Sequence, residues 1–237
     1  MPRMLSMVLG GLLLAAAGPS PAAQALKIVV YGGTGNIGQR IVREALARGD
    51  DVTVVVRDPS RETLQSAHLR VVRGDVLDAA QDARLLQGQN VVVCAASFRK
   101  PPDPGAYRRA AQALVTALRQ LGPRAPRLVF VGGAGSLRDP HGGLVVDSIP
   151  AAYRAEVNGQ KDALEYLRTV SDVPWTYFSP AKTIAPGERT GKFRLGDDEL
   201  ITDSKGDSRI SMEDYAVAVL DEAEKPAHLH RRFTIGY

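Results

Sequence analysis

The chain has 237 residues, of which 44% are hydrophobic and 24% charged, and its formal net charge is +4. This composition is that of one globular domain, and it excludes collagen, coiled coils and intrinsically disordered chains. The surplus of basic residues is diffuse and aromatic residues amount to only 5%, so nucleic acid is not an expected partner. The single cysteine, Cys94, and the four scattered histidines provide neither an intramolecular disulfide nor the ligand spacing of a metal site.

The first 25 residues differ in kind from the rest. Arg3 precedes an apolar run over residues 5–17, and the residues 23–25 (AQA) place small side chains at a cleavage site. This pattern is typical of a secretory signal peptide, and the apolar run is shorter than the roughly 20 residues that a membrane span needs. We expect a signal peptide over residues 1–25, cleavage after Ala25, no stable membrane span after cleavage, and one domain over residues 26–237. The protein would then be periplasmic or secreted, or cytoplasmic if the signal is not used.

After the signal, short valine-rich runs alternate with segments of helical periodicity. Strands are predicted at residues 26–31, 51–56, 69–72, 90–95, 127–131 and 174–178, and helices at residues 36–48, 79–86, 104–121 and 151–169. Continuous apolar strands are typical of parallel sheets that are buried on both faces. The alternation predicts an α/β fold, a doubly wound parallel sheet of Rossmann type, with a small C-terminal region on the substrate side.

The pattern changes from Pro186 onward. Residues 192–195 and 199–202 flank a polar turn at residues 196–198, which predicts a small β-hairpin. Ser211 is followed three residues later by Asp214, a spacing that resembles a helix N-terminal cap. A helix is therefore expected to begin there and to end before Pro226, followed by a last strand over residues 232–237.

The strongest functional motif is a glycine-rich turn between the first strand and the first helix. In this position the first glycine permits the tight turn, the second leaves room for a pyrophosphate, and the third lets helix and strand pack closely. The helix N-terminus adds free N–H groups and a partial positive charge. The motif predicts a dinucleotide site, with an empty structural turn as the alternative, and its predicted cofactor-binding residues are Gly32, Thr34, Gly35, Asn36, Ile37 and Gly38.

The residue after the second strand indicates which nucleotide is bound. An acidic residue there would bind the ribose 2′-hydroxyl, whereas an arginine accommodates a 2′-phosphate, and this chain has Arg57. NADP(H) is therefore predicted in preference to NAD(H), with Arg61 and Arg40 as possible helpers. The alternative for Arg57 is a surface ion pair with Asp58 or Glu62.

Two further strand ends are predicted to line the nucleotide. Asp75 and Val76 follow the third strand, where the adenine should lie, although an ordinary turn-forming role suits Asp75 almost as well. Ala95 and Ala96 end the fourth strand, and their small side chains would let the nucleotide pass close to the backbone.

Several motifs together resemble a known group of proteins. The segments GGTGNIG (32–38), GDV (74–76), VGGAGSL (131–137) and WTYFSP (175–180) resemble the atypical short-chain dehydrogenase/reductases. More narrowly, the segments PGERTG (186–191), ISMEDYA (210–216) and RFTIGY (232–237) resemble the bacterial NAD(P)H-binding proteins called NADH-flavin reductases, which are related to biliverdin reductase B. The resemblance implies a Rossmann fold, a pyridine nucleotide, and a flavin or biliverdin-like acceptor.

The chain departs from the wider superfamily at its catalytic Tyr-x-x-x-Lys pair. Lys161 stands where the lysine is expected, but the residue four positions earlier is Val157, and Tyr153 lies two helical turns away. An alkoxide formed from a simple ketone needs a positioned proton donor, whereas a flavin or tetrapyrrole spreads the charge of the added hydride. The departure disfavours carbonyl reduction and sugar epimerisation.

Ser136 and Lys161 are the predicted catalytic residues. Ser136 would bond the acceptor or the nicotinamide; the alternative is a loop serine that bonds its own backbone. Lys161 would bond a ribose hydroxyl; the alternative is a lysine that faces solvent. Arg189 would close the substrate side or form a loop salt bridge. The expected function is an NAD(P)H-dependent reductase of a flavin or a similar planar small-molecule acceptor. The alternative is a redox sensor that binds NADP(H) without catalysis.

Overall fold

The structure, a computed structural model, describes residues 25–99 and 102–237. The predicted signal peptide falls on residues 1–25, and all of it except Ala25 lies outside the described residues. The strands are β1 (Lys27–Tyr31), β2 (Asp51–Val56), β3 (Leu69–Arg73), β4 (Val91–Cys94), β5 (Arg127–Val131), β6 (Trp175–Ser179), β7 (Thr183–Ala185), β8 (Arg194–Gly196), β9 (Arg209–Ser211) and β10 (Arg231–Gly236). The helices are α1 (Asn36–Arg48), α2 (Ala79–Leu86), α3 (Gly105–Leu121), α4 (Ala151–Arg168) and α5 (Met212–Glu224).

Within the described residues, eight strands form the main sheet in the order β3-β2-β1-β4-β5-β6-β10-β8, and only the pairing of β8 with β10 is antiparallel. The chain runs outward from β1 through β2 to β3, then returns to β4 on the other side of β1 and continues to β5 and β6. The strand order therefore reverses between β1 and β4, which is where ligands bind in doubly wound sheets. The predicted single-domain Rossmann-type fold is confirmed.

Helices cover both faces of the sheet, as the continuous apolar strands require. Helices α2, α3 and α4 pack on one face, and α1 and α5 pack on the other. Alternate residues of one strand serve the two cores: Val29 faces the first group of helices, while Ile28 and Val30 face the second. This double burial holds the carboxyl ends of β1, β4, β5 and β6 in fixed positions for the loops that follow them.

The predicted hairpin after Pro186 is wrong. Residues 194–196 pair with β10, with Leu195 opposite Ile235, and Glu199 instead bridges to Arg138 in the loop after β5. Without β8, β10 would be an edge strand with a row of unpaired backbone groups, and β8 covers that edge better than a short local hairpin would.

The end of the chain otherwise follows the prediction closely. Ser211 accepts a hydrogen bond from the Asp214 N–H at 2.9 Å and caps α5, which ends at Glu224 before Pro226. The last strand begins one residue earlier than expected, at Arg231. A two-stranded parallel sheet of β7 and β9, which the sequence did not indicate, holds the segment before this helix.

Candidate functional site

The glycine-rich turn lies at the point where the strand order reverses. Gly32 has φ +76°, and a Cβ on it would lie 2.5 Å from the Ala95 carbonyl oxygen. A Cβ on Gly38 would lie 2.1 Å from the Gly32 carbonyl oxygen, so a side chain is excluded where α1 meets the turn. Gly35 differs, because its Cβ would meet only one atom within 4 Å, at 3.2 Å. The turn is therefore tightly packed around Gly32 and Gly38 and open at Gly35.

The N-terminus of α1 faces this open space without a counter-charge. Gly35 occupies the N-cap position, no described side chain caps the helix there, and its first turn contains no acidic residue. Gly35 and Asn36 are exposed, while Thr34 and Ile37 are half-buried at the flanks of the turn. The positive end of the helix dipole thus remains available to an anion such as a pyrophosphate.

Arg57 lies exposed at the end of β2, and the predicted alternative for it is not observed. Asp58 accepts hydrogen bonds from the N–H and hydroxyl of Ser60 at 3.1 and 2.7 Å, and Glu62 accepts from the N–H of Thr63 at 2.9 Å. Throughout residues 25–99 and 102–237, Arg57 has no carboxylate partner. Its guanidinium group is therefore available to a ligand.

Arg40, expected as a helper of Arg57, is already occupied. Its Nε donates to Glu213 Oε1 at 2.6 Å, and its second donor bonds the Asn36 carbonyl oxygen at 2.7 Å. Glu213 also accepts from the Gly187 N–H at 2.8 Å, so Arg40 connects α1 to the C-terminal region. Arg40 therefore has two of its donors bonded within the protein, one of them to a carboxylate 173 residues away along the chain, and its assistance to Arg57 stays a prediction.

The other predicted nucleotide-lining residues have mixed environments. Asp75 accepts a hydrogen bond from the Leu77 N–H at 3.1 Å, which is the turn-forming role, and Val76 is buried in the core against α2 and α3. Ala95 donates its N–H to the Tyr31 carbonyl oxygen at 2.9 Å and, like Ala96, is half-buried beside the glycine-rich turn.

Helix α4 packs directly against the loop after β5. A Cβ on Gly135 would lie 1.9 Å from Val157 Cγ1, and one on Gly133 would lie 1.9 Å from Gln160 Oε1. Val157, which stands at the superfamily's tyrosine position, therefore presents a methyl group to the loop where a phenol is expected. Tyr153 lies one turn earlier on the helix, 62% exposed.

The two predicted catalytic residues have different partners. The Ser136 hydroxyl accepts a hydrogen bond from Arg232 at 3.3 Å, and the Arg232 side chain is buried and paired with Asp198. Ser136 therefore does not merely bond its own backbone. Lys161 forms an ion pair with Glu165 at 3.2 Å on the same helix face. The structure does not place Ser136 and Lys161 on a common partner.

Arg189 forms the salt bridge that the sequence offered as one of its two roles. Its guanidinium group makes two hydrogen bonds of 2.8 Å to the carboxylate of Glu44 on α1. These bonds lower the pKa of Glu44, although burial acts in the opposite direction. Arg189 thus connects the segment after β7 to α1.

One cluster beside Val157 on α4 was missed from the sequence. Glu156 Oε1 accepts from the Tyr107 hydroxyl at 3.0 Å and from Arg99 Nε at 2.6 Å. The cluster joins the loop after β4 to α3 and to α4, next to Val157. The three residues are separated by up to 57 positions, so only the fold brings them together. The sequence signal for this cluster was a polar residue, Glu156, directly before Val157 on the predicted helix.

A buried polar pair lies beneath the glycine-rich turn and was also missed. The Tyr31 hydroxyl donates to Asp82 Oδ1 at 2.5 Å, and Asp82 Oδ2 is buried without a partner among the described residues. Burial raises the pKa of Asp82 to about 7. The signal was an aspartate on the apolar face of the predicted helix at residues 79–86.

Residues 25–99 and 102–237 contain neither a clustered metal-ligand set nor a membrane-spanning helix. There, no group of three or more histidine, cysteine or acidic residues is arranged to hold a metal ion. In the same residues, no helix is long and apolar enough to cross a membrane.

The chain is similar to known proteins over most of its length. The family described as NAD(P)H-binding matches residues 32–225, which include the glycine-rich turn and α5. Among solved structures, a protein of Burkholderia pseudomallei with the provisional name of an exported protein is 42% identical, with a TM-score of 0.80 over 90% of this chain and 100% of the other.

Two further structures are similar over nearly their whole length. A provisionally named epimerase of Bacteroides thetaiotaomicron is 35% identical, with a TM-score of 0.81 over 90% of this chain and 98% of the other. A provisionally named NADH-flavin reductase of Streptococcus pneumoniae is 29% identical, with a TM-score of 0.75 over 90% of this chain and 99% of the other.

Proposed function

This chain belongs to the family of NAD(P)H-binding proteins, and from that premise we propose that it is an oxidoreductase that transfers hydride from NAD(P)H to a flavin or a similar planar conjugated acceptor. The observation that carries the proposal is the combination of an uncapped, open helix N-terminus above Gly35 with an apolar Val157 where a proton donor is expected. The first feature suits a pyrophosphate, and the second suits an acceptor that needs no positioned acid.

In this proposal the nucleotide lies across the carboxyl ends of the central strands. The pyrophosphate sits on the turn formed by Gly32, Thr34, Gly35, Asn36, Ile37 and Gly38. The adenosine extends towards Asp75 and Val76, and the nucleotide passes the backbone at Ala95 and Ala96 towards the loop after β5. The free guanidinium group of Arg57 binds the 2′-phosphate, so NADPH is preferred to NADH.

The proposed acceptor follows from what α4 presents to the site. Reduction of a ketone or epimerisation of a sugar needs an acid or base at the reacting oxygen, and Val157 provides neither. Hydride transfer to a flavin requires mainly that two planar rings are held in contact, with solvent as the source of the proton. The flavin-reductase name of the 29%-identical Streptococcus pneumoniae protein supports this choice; the 35%-identical Bacteroides thetaiotaomicron protein has an epimerase name, so the choice between the two reactions rests on Val157.

Ser136 and Lys161 are the proposed polar contacts of the reacting groups. Because Arg232 donates to the Ser136 oxygen, the hydroxyl proton of Ser136 is free to be donated to the acceptor or to the nicotinamide amide. Lys161 can bond a ribose hydroxyl with the donors that its ion pair to Glu165 leaves free, and because that pair holds the side chain along the helix, its contribution is expected to be smaller than that of Ser136.

The test is the oxidation of NADPH by the purified protein without oxygen, with FMN as acceptor and NADH as the comparison. Turnover with FMN that prefers NADPH supports the proposal. A Ser136→Ala variant should retain NADPH binding and turn over more slowly, because a polar contact to the acceptor or the nicotinamide is lost while solvent still supplies the proton. If the protein binds NADPH but reduces neither FMN nor other planar acceptors, the proposed reaction is wrong.

A second candidate, a non-catalytic NADP(H)-binding redox sensor, is favoured by the same Val157 and by the engagement of Lys161 with Glu165. A sensor would bind NADPH tightly and show no turnover on any acceptor. It would also differ measurably between its NADPH and NADP⁺ complexes, for example in protease resistance. Multiple turnovers with FMN would exclude it.

We also propose that the protein is exported. The N-terminal pattern of Arg3 and the apolar run at residues 5–17 supports export, as does the name of the 42%-identical Burkholderia pseudomallei protein. Detection of a mature chain that begins at Leu26 in a periplasmic fraction would support this location. An intact Met1 in the cytoplasmic fraction alone would contradict it.

A further inference from the structure

Three arginines meet at the carboxyl ends of β2 and β3. Arg57 follows β2, Arg61 ends a short 3-10 turn that begins at Pro59, and Arg73 is the last residue of β3. In the described ranges, 25–99 and 102–237, none of the three forms an ion pair. The three positive charges outnumber the single negative charge of the neighbouring Asp58, and an anion bound between them would relieve the repulsion that remains.

The strand register fixes where Arg73 lies. Val56, the last residue of β2, is the register partner of Arg73, and the Gly74 N–H donates to the Val56 carbonyl oxygen at 2.9 Å. Leu69 and Val71 pack against the α1 face of the sheet, so the alternation of side chains places Arg73 on that face as well. Arg73 therefore lies on the neighbouring strand directly beside Val56, which precedes Arg57.

The 3-10 turn that ends at Arg61 packs against β3, and the residue before this turn is Asp58. Its pKa is lowered chiefly by hydrogen bonds from Ser60, and the positive charges of Arg61 and Arg73 lower it further. Both arginines thus lie close enough to influence a carboxylate that is the immediate neighbour of Arg57. Asp58 bonds Ser60 and forms no ion pair with Arg61 or Arg73, so its single negative charge offsets only part of theirs.

We propose that Arg73 is a third arginine of the 2′-phosphate site and that it acts with Arg57 and Arg61 to select NADPH over NADH. The inference rests on the proposed preference for NADPH. A phosphate monoester carries nearly two negative charges and three acceptor oxygens at neutral pH, which one bidentate arginine cannot fully satisfy. NADH has a neutral hydroxyl at the same position, so Arg73 contributes to the discrimination and little to the binding of the shared part.

The experiment compares Arg73→Ala and Arg57→Ala in the full chain, with Arg70→Ala as the matched control. Arg70 lies on the same exposed strand and carries the same charge, but it faces the other side, roughly 10 Å nearer the start of the strand. Dissociation constants are measured by calorimetry for NADPH, NADH, 2′,5′-ADP and 5′-AMP. The two fragments report the phosphate site without any redox chemistry.

Arg73→Ala should weaken NADPH and 2′,5′-ADP about tenfold and leave NADH and 5′-AMP within about twofold. Arg70→Ala should change all four by less than about twofold. Unchanged NADPH binding in Arg73→Ala, or equal losses for NADPH and NADH, would overturn the role of Arg73.

The outcomes also separate this inference from the proposed cofactor preference. If the unaltered protein binds NADPH no more tightly than NADH, the preference itself is wrong, and the role of Arg73 is overturned with it. If the unaltered protein prefers NADPH and Arg57→Ala removes that preference while Arg73→Ala keeps it, only the inference about Arg73 is wrong.

Discussion

The hydroxyl of Tyr31, the residue before the glycine-rich turn, donates a 2.5 Å hydrogen bond to Oδ1 of Asp82 on α2. Asp82 is fully buried, and no positive charge in the described part of the chain pairs with it. Its nearest acidic neighbours, Asp75 and Asp78, act in the same direction as burial and disfavour its charged form. The carboxyl group therefore holds its proton far above the ordinary range of an aspartate.

The stability of the protein should consequently fall as the pH rises towards neutrality. Burial raises the pKa of Asp82 to about 7, whereas its value in the unfolded chain is about 4, so the folded state binds more protons between these values. Asp82 thus favours folding most below about pH 4, and this contribution is lost as the pH passes about 7. From about pH 5 to about pH 8, the free energy of unfolding of the unaltered protein should fall by about 1–3 kcal/mol more than that of the Asp82→Asn variant. Urea titrations measure this slope, and parallel slopes for the two proteins would contradict the prediction.

The carboxylate of Asp214 should stabilise the C-terminal region. Burial alone would raise the pKa of Asp214, but hydrogen bonds from Thr190, the Gly191 N–H and Tyr237 lower it below its usual value. The stabilisation is therefore present at neutral pH and lost as the pH falls through the lowered pKa. Tyr237→Phe removes a 2.7 Å bond to Asp214 and should reduce the free energy of unfolding by about 1–2 kcal/mol. Thermal unfolding measures the effect, and Tyr153→Phe, on an exposed tyrosine, is the matched control.

Two glycines of the same turn should respond in opposite ways to alanine. Gly35→Ala adds a methyl group that meets one atom at 3.2 Å in the folded protein, so the melting temperature should change little. The methyl group would occupy the room left for the pyrophosphate, so NADPH and NADH should both bind at least about tenfold more weakly. Gly38→Ala places the methyl group 2.1 Å from the Gly32 carbonyl oxygen and should destabilise the fold by several kcal/mol, roughly 2–4. Unchanged nucleotide binding in Gly35→Ala would mean that the pyrophosphate does not lie on this turn.

Much of this architecture could be predicted because it depends on local patterns. The valine-rich strands and the periodic helices predicted the positions of β1 to β6 along the chain. A glycine-rich turn between a strand and a helix has few other physical uses. The hairpin after Pro186 was mispredicted because residues 194–196 have a better partner in β10, which lies far along the chain.

The partners of long side chains were beyond the reach of the sequence for the same reason. Arg40 is bound by Glu213, and Glu156 collects Arg99 and Tyr107, over separations that no periodicity encodes. Conversely, the structure leaves Arg57 exposed beside two carboxylates that the sequence offered as partners, because Ser60 and nearby backbone N–H groups bind them instead.

The cluster around Glu156 should affect the acceptor more than the nucleotide. Glu156 holds the loop after β4 against α4 through Arg99 and Tyr107, and this loop borders the space next to Val157. Glu156→Ala should raise the KM for the acceptor by about threefold to tenfold and leave the KM for NADPH within about twofold. Asp162→Ala, on the same helix, is the control, and steady-state kinetics measure both constants. If Glu156→Ala raises the KM for NADPH more than the KM for the acceptor, the cluster supports nucleotide binding and the prediction is wrong.

The most direct test of hydride transfer to a planar acceptor is the stoichiometry of the reaction without oxygen. NADPH and FMN are mixed with the protein, and the loss of reduced nicotinamide and the bleaching of the flavin are followed together by their separate absorbances. We expect one FMN reduced for each NADPH oxidised, over many turnovers, with NADH a slower donor. NADPH binding without any flavin bleaching would contradict the proposed reaction and leave the non-catalytic sensor as the better description.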